Sequence, residues 1–301
     1  MKILIADDDP VAQMYLEGAL EDEGYEVVIA SDGKSACDIL LHADAPMLAI
    51  IDWMMPEMDG VAVCRAVREN VRDHYIYLIM LTSKKETQFT VEAIDAGADA
   101  FMSKPYSIEE LQVRVRAGKR ISELEQELRL NATHDSLTGL YNRGAIVDIL
   151  RKAMARHERN SYPVSIIFAD VDHFKQTNDN YGHPAGDAVL REVARRATHV
   201  LRPYDSFGRY GGEELLIVLP DCGAKGALAV AERVRSAIAD QPVTTNFGDI
   251  ATSLSLGVAV ADGDTSLHFD DLIQLADSAL YQAKDNGRNC VVSANADLLN
   301  C

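Results

Sequence analysis

The stretch ILIADDDP (residues 3–10) decides the reading of the first half of the chain, because a short apolar run goes straight into three aspartates. A run without polar alternation reads as a strand covered on both faces, as in a parallel sheet with helices on either side. Working outward, the same kind of run recurs as VVIA (27–30), LAII (48–51), IYLIML (76–81) and ADAFM (98–102). Between these runs, Val11–Glu23, Lys34–His42, Val61–Asn70 and Thr87–Ala96 carry helical spacing. Alternating strands and helices predict a doubly wound α/β domain.

The chemistry of that domain collects at its strand ends. Strand 1 ends in Asp7 and Asp8, strand 3 in Asp52 and strand 4 in Thr82; Lys104-Pro105 follows strand 5. In a doubly wound sheet the carboxyl ends of the strands line one crevice, where ligands bind. Crowded carboxylates repel one another and favour a hard divalent cation such as Mg²⁺. Such an ion would orient a phosphoryl group towards one carboxylate oxygen. A single acidic residue here would usually be a helix cap. Matched residues at successive strand ends are harder to explain that way.

Residues Asp7, Asp8, Asp52 (in IDWMMPEMDG), Thr82 (in LTS) and Lys104-Pro105 resemble the response-regulator receiver family over residues 1–120. The resemblance implies a flavodoxin-like fold in which Asp52 accepts phosphate from a cognate histidine kinase. It also implies that Asp7 and Asp8 bind Mg²⁺ together with Asp52, that Phe101 is the switch aromatic, and that the Lys104–Pro105 bond is cis.

From Ser107 to about Ala132 there is no proline, and the one glycine is Gly118. Ile108, Leu111 and Val115 mark one apolar stripe, and Ile121, Leu124 and Leu128 continue with 3–4 spacing in another phase. The prediction is a long linker helix over 107–134, able to form a short coiled coil. A solvated spacer helix is the plainer alternative.

Residues 135–301 are organised differently. Strands are predicted at Pro163–Asp170, Val243–Phe247, Ile250–Val260 and Asn289–Ser293, with helices to about Leu201, at Ala224–Asp240 and at Asp270–Asp285. Ser206–Pro220 reads as a hairpin turning at Gly211–Gly212. Helices against one sheet make this an α+β domain of ferredoxin-like type. The hairpin RYGGEELL (209–216) would bring Glu213 and Glu214 beside Asp170 and Asp172 of FADVDHFK (168–175), a credible two-metal site for phosphoryl or nucleotidyl transfer. If both lie in the strand, Asp170 and Asp172 are expected on opposite faces, so that only one of them is a ligand.

The segments DSLTGLYNR (135–143), DVDHFKQTND (170–179), YGHPAGDAVL (181–190), GRYGGEELLIVLP (208–220), SLSLGVA (253–259) and ALYQAKDNGRN (279–289) resemble the GGDEF family of diguanylate cyclases. The resemblance implies that Asp170, Glu213 and the Val171 carbonyl bind Mg²⁺, with Glu214 assisting and the glycines Gly211 and Gly212 letting substrate approach the backbone. Asn178 and Asp187 would read guanine, and Lys175, Lys284 and Arg288 would contact the triphosphate of GTP. Arg202 and Asp205, in RPYD upstream of the hairpin, match the inhibitory product site for cyclic di-GMP, with Arg233 as a second contact. The departure is Leu215, where the family's name has phenylalanine; an apolar, inward-packing position is expected. A homodimer is implied, because closing the ring takes two GTP molecules on two domains. The alternative reading is a catalytically weak receptor that binds cyclic di-GMP through Arg202 and Asp205.

The bulk numbers agree with this division. At 301 residues two domains are natural, and 48% hydrophobic content can fill two cores. A net charge of −18 without any basic stretch opposes nucleic-acid binding. No apolar run nears the ~20 residues of a membrane span, and MKILIADDDP does not read as a signal peptide. A cytoplasmic protein with no membrane partner is expected. The five cysteines (Cys37, Cys64, Cys222, Cys290, Cys301) are scattered and read as reduced thiols.

Overall fold

The computed structural model describes residues 1–70, 75–83, 87–263 and 267–294. Cys301 lies outside the described residues. The chain divides into two compact units, Met1–Arg129 and Leu130 onward.

The first unit contains β1 (Lys2–Ala6), α1 (Pro10–Glu21), β2 (Glu26–Ala30), α2 (Gly33–Leu41), β3 (Leu48–Asp52), α3 (Gly60–Glu69), β4 (Tyr77–Thr82), α4 (Thr87–Asp95) and β5 (Ala100–Ser103). Its sheet is parallel, in the order β2-β1-β3-β4-β5. β3 and β4 are buried along their whole length, which is why LAII and IYLIML show no alternation. One core lies on each face: Leu4, Ala49, Ile51 and Met80 point to one, Ile3, Ile5, Ile50 and Ile79 to the other. Asp9, Asp32 and Asp59 cap α1, α2 and α3 by accepting from Val11, Ser35 and Ala62 N–H groups.

Helix α5 (Ile108–Thr133) follows and crosses the boundary between the units. Its two apolar phases have different fates. Leu111 and Val115 are fully buried in the core that holds Ile3 and Ile79. Ile121, Leu124 and Leu128 stay exposed, Leu128 at 64%. Gly118 is where the helix meets the sheet: a Cβ there would lie 2.4 Å from the Tyr77 ring and 2.8 Å from Leu48. Close packing therefore offsets the ~1 kcal/mol that a helical glycine costs.

The second unit runs α6 (Arg143–Asn160), β6 (Val164–Val171), α7 (Phe174–Tyr181), α8 (His183–Val200), β7 (Ser206–Gly211), β8 (Glu214–Pro220), α9 (Ala224–Ala239), β9 (Val243–Thr245), β10 (Gly248–Ile250), β11 (Leu254–Ala261), α10 (Phe269–Asp285) and β12 (Val291–Ser293). The main sheet is ordered β12-β11-β6-β8-β7, with β6 central, buried throughout and antiparallel to both neighbours. Ile167, Ala169 and Val171 face a core with α8 and α9; Ile166 and Phe168 face one with α6 and α10. Helix α6 has no counterpart among the sequence-predicted elements. The single strand expected over Ile250–Val260 is also two: β10 pairs with β9 in a separate hairpin, and β11 starts afresh at Leu254. Among the described residues, no helix is long and apolar enough to cross a membrane. The cysteines among the described residues form no disulfide.

Candidate functional site

In the first unit, parallel strands deliver the acidic residues to one sheet edge. Asp7 and Asp52 are buried, at 1% and 6% exposure, and Thr82 lies beside them at the end of β4. Asp8 is exposed. Lys104 reaches across: its Nζ is 2.8 Å from Asp7 Oδ2 and pairs directly with Asp52 Oδ1. The other Asp52 oxygen accepts the Met54 N–H at 2.9 Å. Burial pushes the Asp52 carboxyl above its ordinary range, with Lys104 and the Met54 N–H opposing and the Asp7 charge adding. For Lys104 burial acts downward, but its bonds to both carboxylates outweigh this and its pKa is raised. The Lys104–Pro105 peptide is cis. Phe101 on β5 is half-buried against the core around Met80.

In the second unit, register brings the acids together. Asp170 sits directly opposite Glu214 across the β6/β8 ladder. The expected turn shifts by one residue, because β7 ends at Gly211 and β8 starts at Glu214, leaving Gly212 and Glu213 as the turn. Gly212 has φ +51°, and the ladder is irregular between Arg209 and Gly211. The Glu213 carbonyl accepts the Val171 N–H at 3.4 Å, which ties the turn to the end of β6. Asp170 is 8% exposed, and the Lys284 ammonium from α10 stands 2.9 Å from its Oδ2. Burial raises the Asp170 pKa; Lys284 opposes, while the Glu213 and Asp172 charges add to the rise. Glu214 is also raised, by burial and by the charges of Asp170 and Asp277. A lysine thus stands at the centre of each carboxylate group, where an added cation would otherwise balance charge. No three His, Cys, Asp or Glu side chains among the described residues already enclose a metal-sized space.

The expectation for Asp172 requires a correction. Residues two apart share a face of a strand, so alternation does not put Asp170 and Asp172 on opposite faces. What distinguishes them is their partners. Asp172 is taken up by Ser253, Ser255 and the Asn289 N–H, whereas Asp170 faces Lys284 and Glu214.

Asn178 on α7 carries a buried Oδ1 with no hydrogen-bond partner. Leaving a buried acceptor unpaired is costly, which suits an N–H supplied by a ligand. Gly186 on α8 makes room for it: a Cβ there would lie 2.0 Å from that Oδ1. Asp187 is half-buried on α8, and Lys175 is exposed on α7. Arg288 lies in the loop after α10 with φ +67°. Leu215 is buried with Ala169 and Val189 in the α8/α9 core, on the face away from Leu216 and the acids. The missing phenylalanine is therefore a packing change on the opposite face of the sheet from the Glu214 side chain, one residue along the strand.

Arg202 and Asp205 form a closed turn. Asp205 Oδ2 accepts the Arg202 N–H at 2.9 Å, and the Asp205 N–H donates to the Arg202 carbonyl at 3.0 Å. The Arg202 guanidinium reaches the Tyr204 hydroxyl at 3.2 Å. Both residues line a cavity of about 800 Å³ with Arg191, Arg195 and His199. Arg233 does not line it; its Nε donates to the Val200 carbonyl at 3.0 Å.

With this geometry in hand, known proteins give an independent comparison. The family model described as "Diguanylate cyclase, GGDEF domain" matches residues 132–290, and the response regulator receiver domain model matches 3–116. Response regulator PleD of Caulobacter vibrioides is 32% identical over 98% of this chain and 66% of PleD. Diguanylate cyclase DosC of Escherichia coli is 38% identical over 62% of this chain and 42% of DosC. This chain therefore spans about two thirds of PleD and less than half of DosC. Among solved structures, the coiled coil and GGDEF domain of DgcB from Caulobacter crescentus, in complex with c-di-GMP, aligns with TM-score 0.57 and 31% identity, covering 62% of this chain and 98% of that one.

Proposed function

We propose, from the premise that the chain belongs to the GGDEF family and carries a receiver domain, that it is a diguanylate cyclase controlled by phosphorylation of Asp52. The observation that carries this reading is the register that sets Asp170 against Glu214 at the Gly212–Glu213 turn, with Lys284 at hand for negative charge.

Two GTP molecules, one on each of two domains, would be condensed into cyclic di-GMP. Each 3′-oxygen forms a bond to the other molecule's α-phosphorus, the bond from that phosphorus to the β-phosphate bridge breaks, and two pyrophosphates leave. Asn178 and Asp187 read the guanine edge. Lys175, Lys284 and Arg288 bear on the triphosphate. The donor chemistry of Asp170, Glu213 and the Val171 carbonyl, with Glu214 nearby, fits Mg²⁺ once Lys284 turns from Asp170 to phosphate. Bound there, Mg²⁺ would neutralise phosphate charge and favour loss of the 3′-hydroxyl proton. Because one domain holds one GTP, a homodimer is the active form. Cyclic di-GMP would feed back at Arg202 and Asp205, with Arg233 as a second contact through guanidinium N–H groups other than the Nε–H that donates to the Val200 carbonyl.

In the receiver domain Asp52 would take the phosphoryl group of a histidine kinase, with Asp7 and Asp8 as the other Mg²⁺ carboxylates. Lys104 already spans Asp7 and Asp52, so it is placed to follow the new charge onto a phosphoryl oxygen. Use of GTP and of a histidine kinase would support a cytoplasmic location.

The test is incubation with GTP and Mg²⁺, with and without beryllofluoride, and separation of the products. Cyclic di-GMP is expected from the native protein and not from folded Glu213→Gln or Asp170→Asn. Near-normal synthesis by either variant would overturn the metal assignment. Binding of cyclic di-GMP without any synthesis would make the protein a receptor instead.

A further inference from the structure

Asp172 is buried at 6% exposure, and the proposed reaction gives it no task. Its carboxylate is nonetheless fully engaged. Oδ1 accepts the Ser255 hydroxyl at 2.6 Å, and Oδ2 accepts the Ser253 hydroxyl at 2.6 Å and the Asn289 N–H at 3.0 Å. Its own N–H donates to the Ser253 carbonyl at 3.0 Å. Burying a carboxylate is expensive unless it is well hydrogen-bonded, so this arrangement holds something in place. The two serines lie on or beside β11 and immobilise the carboxylate. The third bond leaves the sheet for the loop between α10 and β12.

That loop is unusual. Gly287, Arg288 and Asn289 follow one another with φ of +103°, +67° and +47°. Glycine adopts this region freely, but arginine and asparagine do so at a cost. Successive left-handed side-chain-bearing residues persist only where surrounding bonds over-determine them. Here the bonds are identifiable. The Arg288 N–H donates to the Ala283 carbonyl at 3.1 Å. The Asn289 N–H is held by Asp172, and Asn289 Oδ1 accepts Arg235 Nη1 at 2.7 Å. Arg288 is therefore fixed at its own N–H and flanked by the bonds of Asn289, and Lys284 lies four residues earlier at the end of α10.

We propose that Asp172 is a positioning residue for the cyclase reaction: its buried carboxylate locks the Gly287–Asn289 loop in its left-handed form and thereby sets Arg288 against the substrate triphosphate. This rests on the reading of Arg288 as a phosphate contact. Because the Asp172 charge also acts on Asp170, activity alone does not separate the two effects, and a binding cycle does.

Affinity for a non-hydrolysable GTP analogue and for guanosine is measured on the full chain, for the native protein, Asp172→Asn, Arg288→Ala and the double variant. Asp172→Asn is expected to weaken the analogue about tenfold, equivalent to ~1.4 kcal/mol, and to leave guanosine unchanged. In the Arg288→Ala background it should have no further effect. Exchange of the Asn289 amide hydrogen should accelerate in Asp172→Asn. If Arg288→Ala binds the analogue normally, the reading of Arg288 fails and the proposal falls with it. If Arg288→Ala is weakened while Asp172→Asn is not, or if the two losses add, the proposal alone is overturned. Should Asp172→Asn not fold, Ser253→Ala removes one hydroxyl from the same carboxylate oxygen and runs the same cycle, with the same expected and overturning outcomes.

Discussion

Gly186→Ala is a one-methyl perturbation whose consequences can be worked out from the structure. The new Cβ would lie 2.0 Å from Asn178 Oδ1 and 3.0 Å from Phe174 Cζ, while ordinary contact begins at 3.4 Å. The Asn178 amide must therefore retreat by about 1.4 Å, enough to carry a hydrogen bond of ~2.9 Å beyond bonding range. Overpacking of this kind costs ~1–3 kcal/mol. Alanine in place of glycine within α8 returns up to ~1 kcal/mol, which leaves a net loss of about 0–2 kcal/mol. Substrate recognition takes the larger effect. If Asn178 Oδ1 accepts a guanine N–H, displacing it leaves a donor unpaired at ~1–3 kcal/mol, and tenfold is the central expectation at ~1.4 kcal/mol. The assay is initial rate against GTP concentration, with a thermal melt on each variant. KM should rise about tenfold with the melting temperature lowered by no more than about 8 °C, and Asn178→Ala should show a similar rise in KM. In the double variant the alanine at 186 should add nothing, since the amide it strikes is gone. A normal KM for Gly186→Ala, or a full tenfold loss in the Asn178→Ala background, would refute the reasoning.

Asp52→Asn should take up no phosphoryl group from acetyl phosphate and should show no activation by beryllofluoride; undiminished labelling would place the acceptor elsewhere. Arg202→Ala should relieve inhibition by added cyclic di-GMP without lowering the initial rate, and superimposable inhibition curves would reduce the Arg202–Asp205 turn to a structural feature. Leu124→Glu combined with Leu128→Glu should uncouple a phosphoryl mimic from activity at concentrations where the receiver units still associate. That follows if the exposed stripe of α5 pairs with a second copy, and full activation of the double variant would leave α5 as a plain tether. Mg²⁺ should be needed at higher concentration as pH falls. The pKa values of Asp170 and of the neighbouring Glu214 are raised, so protons compete for these carboxylates at a higher pH than for ordinary ones; an unchanged Mg²⁺ requirement on titrating below neutrality would remove Asp170 as a ligand.

Much of this architecture is legible in the chain because its information is local. Apolar runs such as LAII and IYLIML are buried on both faces and need no partner to be recognised, and glycines ahead of two glutamates announce a hairpin with acids at its tip. Helix α6 escapes the sequence reading although its signals are present: Asn142 caps it, and Ile146, Leu150 and Met154 recur every four residues. The further apolar residues Val147 and Ile149 lie beside that stripe and blur its period. The break before β11 escapes it although Thr252 and Ser253, two polar residues in succession, interrupt the alternation there.

The sequence by itself determined the receiver strands, the linker helix and the hairpin that carries the glutamates, but not the division of the strand expected over Ile250–Val260. Only the tertiary structure decided what each acid does. Asp170 and Asp172 are alike in residue type and two positions apart, yet one faces the Lys284 ammonium and the other is sequestered by Ser253, Ser255 and Asn289. Likewise Val115 and Leu124 are both apolar positions of one helix, and the local pattern does not tell a buried stripe from an exposed one: Val115 packs in the core with Leu48 and Tyr77, while Leu124 meets solvent. The physical reason is that burial, hydrogen bonds and charge pairs are settled by distance in space. Lys284, Ser253, Ser255 and Asn289 lie more than eighty residues from the acids they meet, beyond the reach of any local periodicity.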